Sequence, residues 1–206
     1  APAIARRAGR GCVLAEFGSG SSVKSRLLLT AMDRLETYVP IDISRQHLDV
    51  TTTQLRHEYP HLRVEPVCAD YMQLDALPES INGARRIGFF PGSTIGNLTP
   101  PEATSFLRRA RKLLREDGIL ILGIDLKKDP QRLHDAYNDA AGVTAAFTLN
   151  LLRRMNRDLD ANFDLSGFVH EAFYNPAEGR IEIYFRSLRS QRVVVAGRVF
   201  SFAEGE

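Results

Sequence analysis

The chain of 206 residues predicts an α/β fold, a doubly wound and mostly parallel sheet continued by a smaller α+β unit. Three observations carry that expectation. Up to about residue 125, short apolar runs alternate with runs of helical period, the grammar of a parallel sheet covered on both faces. The turn after the first run, GSGSS at 18–22, is rich in glycine and serine, as such sheets require where backbone approaches a ligand. Beyond Asp125 the alternation gives way to two helices and then to closely spaced strands, which predicts an antiparallel unit. The boundary is therefore set near residue 126, with units at 1–126 and 127–206.

The elements follow in order. CVLAEF (12–17) reads as a buried strand and KSRLLLTAM (24–32) as the helix after it. TYVPIDIS (37–44) is a second strand, with Asp42 at its end. A helix from about Gln46 to Tyr59 stops at Pro60, and LRVEPV (62–67) makes a third strand that leads into CADY (68–71). RRIGFF (85–90) is a fourth strand, ended by Pro91 and Gly92. Thr99, Pro100 and Glu102 then spell a helix start: a hydroxyl cap, proline at the first helical position and glutamate at the capping-box position. Phe106, Leu107, Ala110, Leu113 and Leu114 recur at helical spacing and predict one buried face, Gly118 ends that helix, and ILILGID (119–125) is the fifth strand. Asp129 and Pro130 open a helix carrying Leu133, Ala136 and Tyr137; Gly142 interrupts it, and a second helix runs to about Leu159. HEAFYN, the turn NPAEG, RIEIYFRSL with alternating Ile181, Ile183 and Phe185, and the shorter RVVVA and RVFSF predict an antiparallel meander.

Composition bounds the rest. A hydrophobic fraction of 44% supports a sizeable core, and a formal net charge of +2 gives no global pull toward nucleic acid or anionic membrane. Cys12 and Cys68 have no metal or disulfide spacing and read as thiols of a reducing compartment. No apolar run is long enough to span a bilayer and APAIARRAGRG lacks the apolar stretch of a secretory signal, so the expected location is the cytoplasm. The chain opens on Ala1 and stops at FAEGE inside domain-like sequence, from which an excised or processed piece is expected.

Three ligands compete for EFGSGSSVKS (16–25). A nucleotide phosphate loop needs its second glycine, and a dinucleotide fingerprint its third, where Val23 stands, a β-branched residue that does not take glycine-only conformations. Glu16, beside the turn, would repel a phosphate but attract a sulfonium and an ammonium, the cations of S-adenosylmethionine. Asp42 suits a ribose diol in either NAD or S-adenosylmethionine, and a turn with no ligand is the bland alternative. ILILGID imitates the acidic strand of nucleotide hydrolases without the loop to match.

Other motifs lead less far. HEYPH (57–61) matches a zinc-protease pattern, but Pro60 breaks the helix both histidines would have to share, and no metal site is expected. RRARKLLRE (108–116) reads as a solvated helix face. FFPGSTIGNL (89–98) follows the fourth strand, where the ligand crevice of such a sheet lies, and gathers Gly92, Ser93, Thr94, Gly96 and Asn97. NLTPP lacks the aromatic of the Pro-Pro motif used by nucleic-acid amino-methyltransferases, so a nucleobase is not the expected acceptor.

EFGSGSSVKSRLLL, YVPIDIS, CADY, FFPGSTIGNL, DLKKDPQRLHDAYNDAAGVTAAFTLNLLRRMNRDLDANFDL and RIEIYFRS together resemble the histidine-specific Nα-methyltransferase family, whose best-known member makes trimethylhistidine (hercynine) for ergothioneine biosynthesis. The resemblance implies a class I, Rossmann-like methyltransferase core with part of a smaller substrate-binding domain, S-adenosylmethionine as cofactor and L-histidine as substrate. It further implies that Gly18, Ser19, Gly20 and Lys24 line the methionyl part of the cofactor, that Asp42 binds the ribose, and that Asp70 and Tyr71 hold the adenine. Gly92, Thr94 and Asn97 match the loop that grips the substrate amino group, with Asn97 the catalytic candidate, and Tyr137 matches a carboxylate-binding tyrosine. Ile183 stands where the family packs a residue, often methionine, against the imidazole. The family's imidazole-reading glutamate and serine would lie beyond Glu206, its N-terminal substrate tyrosines before Ala1, and the last two core strands outside the chain. Another aromatic amino acid such as tryptophan stays open as acceptor, and so do two other classes, an NTPase and a non-catalytic cofactor-binding module.

Overall fold

The computed structural model describes residues 1–32 and 34–206, in two compact units, Ala1–Asp125 and Leu126–Glu206. In the first, β1 (Cys12–Phe17) lies between β2 (Leu35–Asp42) and β5 (Arg85–Phe90), parallel to both and buried along its whole length. A strand covered on both faces has no reason to alternate polar with apolar, hence the continuous CVLAEF. With β3 (Arg63–Val64) and β6 (Ile119–Leu122) the order is β3-β2-β1-β5-β6, and β4 (Val67–Cys68) also pairs with β2. Every pairing in this sheet is parallel.

The pleat sorts the core into two layers. Cys12, Leu14, Tyr38 and Ile87 pack with Ala8 of α1 (Pro2–Ala8), Leu28 and Leu29 of α2 (Val23–Ala31) and Leu55 of α3 (Arg45–Glu58). Val13, Ala15, Phe17, Val39, Ile41 and Phe90 face Phe106, Ala110 and Leu113 of α4 (Pro100–Leu114). The Thr99–Glu102 capping box forms as its spelling predicts. At the other end of α4 the buried Arg86 donates to the Leu113 carbonyl at 2.6 Å and to Asn82 Oδ1 at 3.0 Å, placing a cation against the negative end of the helix dipole.

Several expectations need correction. The third strand is two short ones, because Pro40 of β2, which falls opposite the gap between the Tyr38–Val64 and Asp42–Cys68 pairs, has no N–H to give to the ladder there. The fifth strand stops at Leu122 rather than Asp125. Leu107 is 39% exposed and falls off the buried stripe formed by Phe106, Ala110, Leu113 and Leu114, one helical step of about 100° away. The α1 helix was not anticipated; the Arg85 guanidinium holds its last carbonyls, those of Arg7 and Ala8.

In the second unit α5 (Pro130–Tyr137) and α6 (Val143–Asp158) precede two hairpins, β7 (Phe168–Asn175) with β8 (Arg180–Ser187) and β9 (Gln191–Val195) with β10 (Arg198–Phe202). They are separate two-stranded sheets rather than one meander. Ser187, where β9 would have to join β8, already gives its N–H to the Glu206 carbonyl and its own carbonyl to the Gly205 N–H. Leu152, Phe168 and Val193 form this unit's buried centre, with Phe163 and Phe202 edge-on to Phe168.

One substitution tests the turn between α4 and β6. A Cβ on Gly118 would strike the Leu114 carbonyl and lie 2.7 Å from Leu114 Cβ. Gly118→Ala is expected to destabilise the fold by roughly 1–3 kcal/mol, read as a lower urea midpoint at constant m. An unmoved midpoint would show that the turn relaxes freely.

Candidate functional site

The site begins where β1 ends. Gly18 and Gly20 take positive φ angles of 73° and 49°, conformations a side chain at either position would strain. The Gly18 and Ser19 N–H groups both donate to the Ile41 carbonyl, at 2.9 and 3.0 Å, which clamps the loop to the end of β2. Asp42 completes the clamp: its carboxylate accepts from the Gly20 N–H and from the Ser44 N–H, each at 3.0 Å. Opposite, Asp70 accepts from the Met72 N–H at 2.8 Å and from Gln73 at 3.0 Å, holding the CADY turn. Tyr71 is set edge-on against Phe90 and Phe106, and its Cε1 lies 3.5 Å from where a Gly18 Cβ would be. Gly18, Asp42, Ile43, Asp70 and Tyr71 line one cavity of about 420 Å³, within the usual range for small-molecule sites.

That wall has two carboxylates and no cation, a poor place for a phosphate and a good one for a ribose diol. Ser19 Oγ is buried without a partner among the described residues, so a polar ligand atom would satisfy it. Ile43, 73% exposed beside Asp42, is a wall residue that the sequence reading missed; its position directly after the strand-end acid is the signal.

Glu16 is not on the cavity wall. It is 1% exposed beneath the loop, accepting hydrogen bonds from Ser25 Oγ of α2 and Tyr38 OH of β2, while Ser22 Oγ is 3.1 Å from Tyr38 OH. Burial pushes its carboxyl from the ordinary 4.5 up to about 7, against the lowering effect of the two hydroxyls, and burial likewise raises Tyr38. Nothing in the spacing of Glu16, Ser22, Ser25 and Tyr38 announces this network, which exists only once β2 lies beside β1.

A second loop follows β5. Gly92 (φ 76°) and Ser93 (φ 60°) turn the chain into a short 3-10 helix, Thr94–Asn97, and Thr94 Oγ1 donates to the Pro91 carbonyl at 3.0 Å. Ser93 Oγ accepts from the Asp125 N–H at 2.9 Å. The Lys24 ammonium lies 3.0 Å from where a Gly92 Cβ would be, which brings the glycine loop's lysine to this second loop. Asn97 is exposed at the end of the 3-10 turn, its side chain without a hydrogen bond to any described residue.

Tyr137 and Ile183 belong to the second unit. Tyr137 is the last residue of α5, and Asn138 after it donates to the Ala172 carbonyl of β7 at 2.9 Å. Ile183 sits across the hairpin from Ala172. The helix α3 ends at Glu58, leaving His61 off it, and among the described residues no three His, Cys, Asp or Glu side chains are grouped to hold a metal.

The whole chain, residues 1–206, matches the family model described as histidine-specific methyltransferase, SAM-dependent. The histidine N-alpha-methyltransferase of Mycobacterium tuberculosis (strain CDC 1551 / Oshkosh) is 43% identical over 189 residues, 90% of this chain and 58% of that protein. That of Mycolicibacterium smegmatis is 43% identical over 199 residues, 94% of this chain and 61% of its own length. Ergothioneine biosynthesis protein 1 of Neurospora crassa is 31% identical over 194 residues, covering 89% of this chain and 22% of that one. The chain thus spans about three fifths of the two bacterial relatives.

Glu16 makes stability depend on pH. Its folded pKa of about 7 lies above the ordinary 4.5, so between those values the folded state holds more protons than the unfolded. Stability then falls as pH rises across that window, by on the order of 3 kcal/mol in all. Glu16→Gln is expected to flatten that part of the stability–pH curve in denaturant titrations from pH 4 to 8. Equal slopes in the two proteins would show that the carboxyl ionises without penalty.

Proposed function

The chain belongs to the histidine-specific, S-adenosylmethionine-dependent methyltransferases, and on that premise we propose that it methylates the α-amino nitrogen of L-histidine, toward the trimethylated product. The observation that carries the cofactor half of this reading is the acid-lined cavity at the glycine loop. When bound, S-adenosylmethionine supplies an electrophilic methyl on a sulfonium and departs as S-adenosylhomocysteine.

This chain's residues bind and orient. Asp42 takes the ribose hydroxyls, and Asp70 and Tyr71 the adenine; the side-chain-free Gly18 and Gly20 let backbone approach; Ser19 and Lys24 meet the polar methionyl end. Gly92, Thr94 and Asn97 hold the substrate's amino group, Tyr137 its carboxylate, and Ile183 packs against the ring. In each transfer the nitrogen lone pair forms the new N–C bond as the C–S bond breaks, and the amine's extra proton leaves to solvent before the next. Such a displacement depends on alignment more than on a strong base, and alignment supplies roughly 7–11 kcal/mol at its extreme. An amide is suited to it: in the first two transfers, where the neutral amine still carries an N–H, the Asn97 carbonyl accepts from it and aims the lone pair, without the ionic pairing by which a carboxylate would stabilise the unreactive ammonium. The two free cysteines and the absence, among the described residues, of a helix long and apolar enough to cross a membrane accord with a cytoplasmic enzyme.

Calorimetric titration is expected to give S-adenosylhomocysteine binding, with none for Mg-ATP or NAD; tight Mg-ATP binding lost in Lys24→Ala would instead establish a nucleotide site. Asn97→Ala is expected to weaken L-histidine binding roughly tenfold or more, the effect of a lost hydrogen bond to a charged or polar amine, with S-adenosylhomocysteine affinity unchanged. Unaltered L-histidine affinity would remove Asn97 from the substrate site.

A further inference from the structure

We infer that His170 is a positioning residue for substrate binding: its imidazole holds the end of α5 so that Tyr137 is presented on the face of the β7–β8 hairpin that carries Ile183. The inference rests on the proposed roles of Tyr137 and Ile183 and adds the group that fixes them to one frame.

The last carbonyls of a helix have no partner within it. That of Tyr137 is met by His170 Nε2 at 2.9 Å. A carbonyl can only accept, so Nε2 carries the proton and, in the neutral ring, Nδ1 carries the lone pair. Nδ1 is buried and has no partner among the described residues. An unmatched buried acceptor is unfavourable. On this face Phe185 stands opposite His170, Ala172 and Ile183 are the next pair along, and Phe168 and Ser187 the pair on the other side, with the Ser187 hydroxyl already donating to the Arg189 carbonyl. A phenylalanine or leucine would fill the place without leaving an unmatched nitrogen. What the imidazole supplies and an apolar side chain cannot is the single bond to Tyr137. Two residues along the same strand, Asn138 Nδ2 donates to the Ala172 carbonyl at 2.9 Å. The end of α5 is therefore tied to β7 twice, through Tyr137's own carbonyl to the His170 ring and through the Asn138 side chain to the Ala172 carbonyl, and the second tie lies at the residue opposite Ile183.

The test uses the full chain and initial rates against L-histidine at saturating S-adenosylmethionine, with His170→Phe, His170→Gln, Asn138→Ala and Tyr137→Phe. Glutamine places an amide N–H near the position of Nε2, whereas phenylalanine keeps the ring's volume and loses the donor. We expect His170→Phe to raise the KM for L-histidine roughly five- to tenfold, the loss of about one hydrogen bond's worth of orientation, with kcat and S-adenosylhomocysteine affinity nearly unchanged, and His170→Gln to restore KM to within roughly twofold. Asn138→Ala should raise KM in the same direction, and it carries the test if His170→Phe does not fold. A residue there only for packing gives the opposite order, phenylalanine tolerated and glutamine not, and that result overturns the inference. If Tyr137→Phe raises KM while His170→Phe and Asn138→Ala do not, the inference fails and the reading of Tyr137 stands. If Tyr137→Phe leaves KM unmoved, the reading of Tyr137 fails and takes the inference with it.

Discussion

One carbonyl, that of Ile41, receives the N–H groups of both Gly18 and Ser19, and the ligand cavity depends on this double acceptance. It is available only because β1 and β2 run parallel and in register, with Phe17 beside Ile41 at their common end. Parallel strands all finish at the same end of the sheet, so the loops that follow β1, β2 and β4 are neighbours by construction. Gly18, Asp42 and Tyr71 then meet although 53 residues, counted from 18 to 71, separate the first from the last. A register slip of one residue would exchange the two layers of the core and send Glu16 to the side of Phe106.

The same end is held from below by polar groups. Glu16 occupies the α2-facing layer among apolar neighbours, where it joins α2 through Ser25 and β2 through Tyr38. An apolar residue there would be less sensitive to pH. What the buried carboxyl contributes is directional: it fixes where α2 begins relative to β1, hence where Ser22 must adopt its left-handed φ of 52°. Ser93 repeats the feature in the second loop, at φ 60°. Both loops thus enter their helices through a serine in a sparsely populated conformation that the packed elements around it maintain.

Much of this was legible in the sequence because it is local. The strand at 85–90, the capping box at Thr99 and the glycine loop each announce themselves within a few residues. The breakdowns are at long range. Whether LRVEPV is one strand or two depends on where Pro40 of β2 falls across the ladder. The separation of the two hairpins depends on Gly205 and Glu206 reaching back to Ser187. The α1 helix is seven residues long, too short to form on its own, and it persists because Arg85, far along the chain, caps it. At the site, residue types at the ends of strands identified the wall, while Ile43 and the hydroxyls around Glu16 carry no pattern of their own. Asp42 and Asp70 could be named from position, but that both had their oxygens engaged by neighbouring N–H groups could not.

The clamp also bears on how this loop could change. In a phosphate-binding loop, successive backbone N–H groups point outward and converge on an anion. Here Gly18 and Ser19 direct theirs into the sheet, toward Ile41, and Gly20 directs its own at a carboxylate. Writing glycine in place of Val23 would complete the letters of a nucleotide motif and still create no anion nest, because the donors that motif relies on are already turned away. The two kinds of loop lie one letter apart in spelling and a rebuilt strand edge apart in structure.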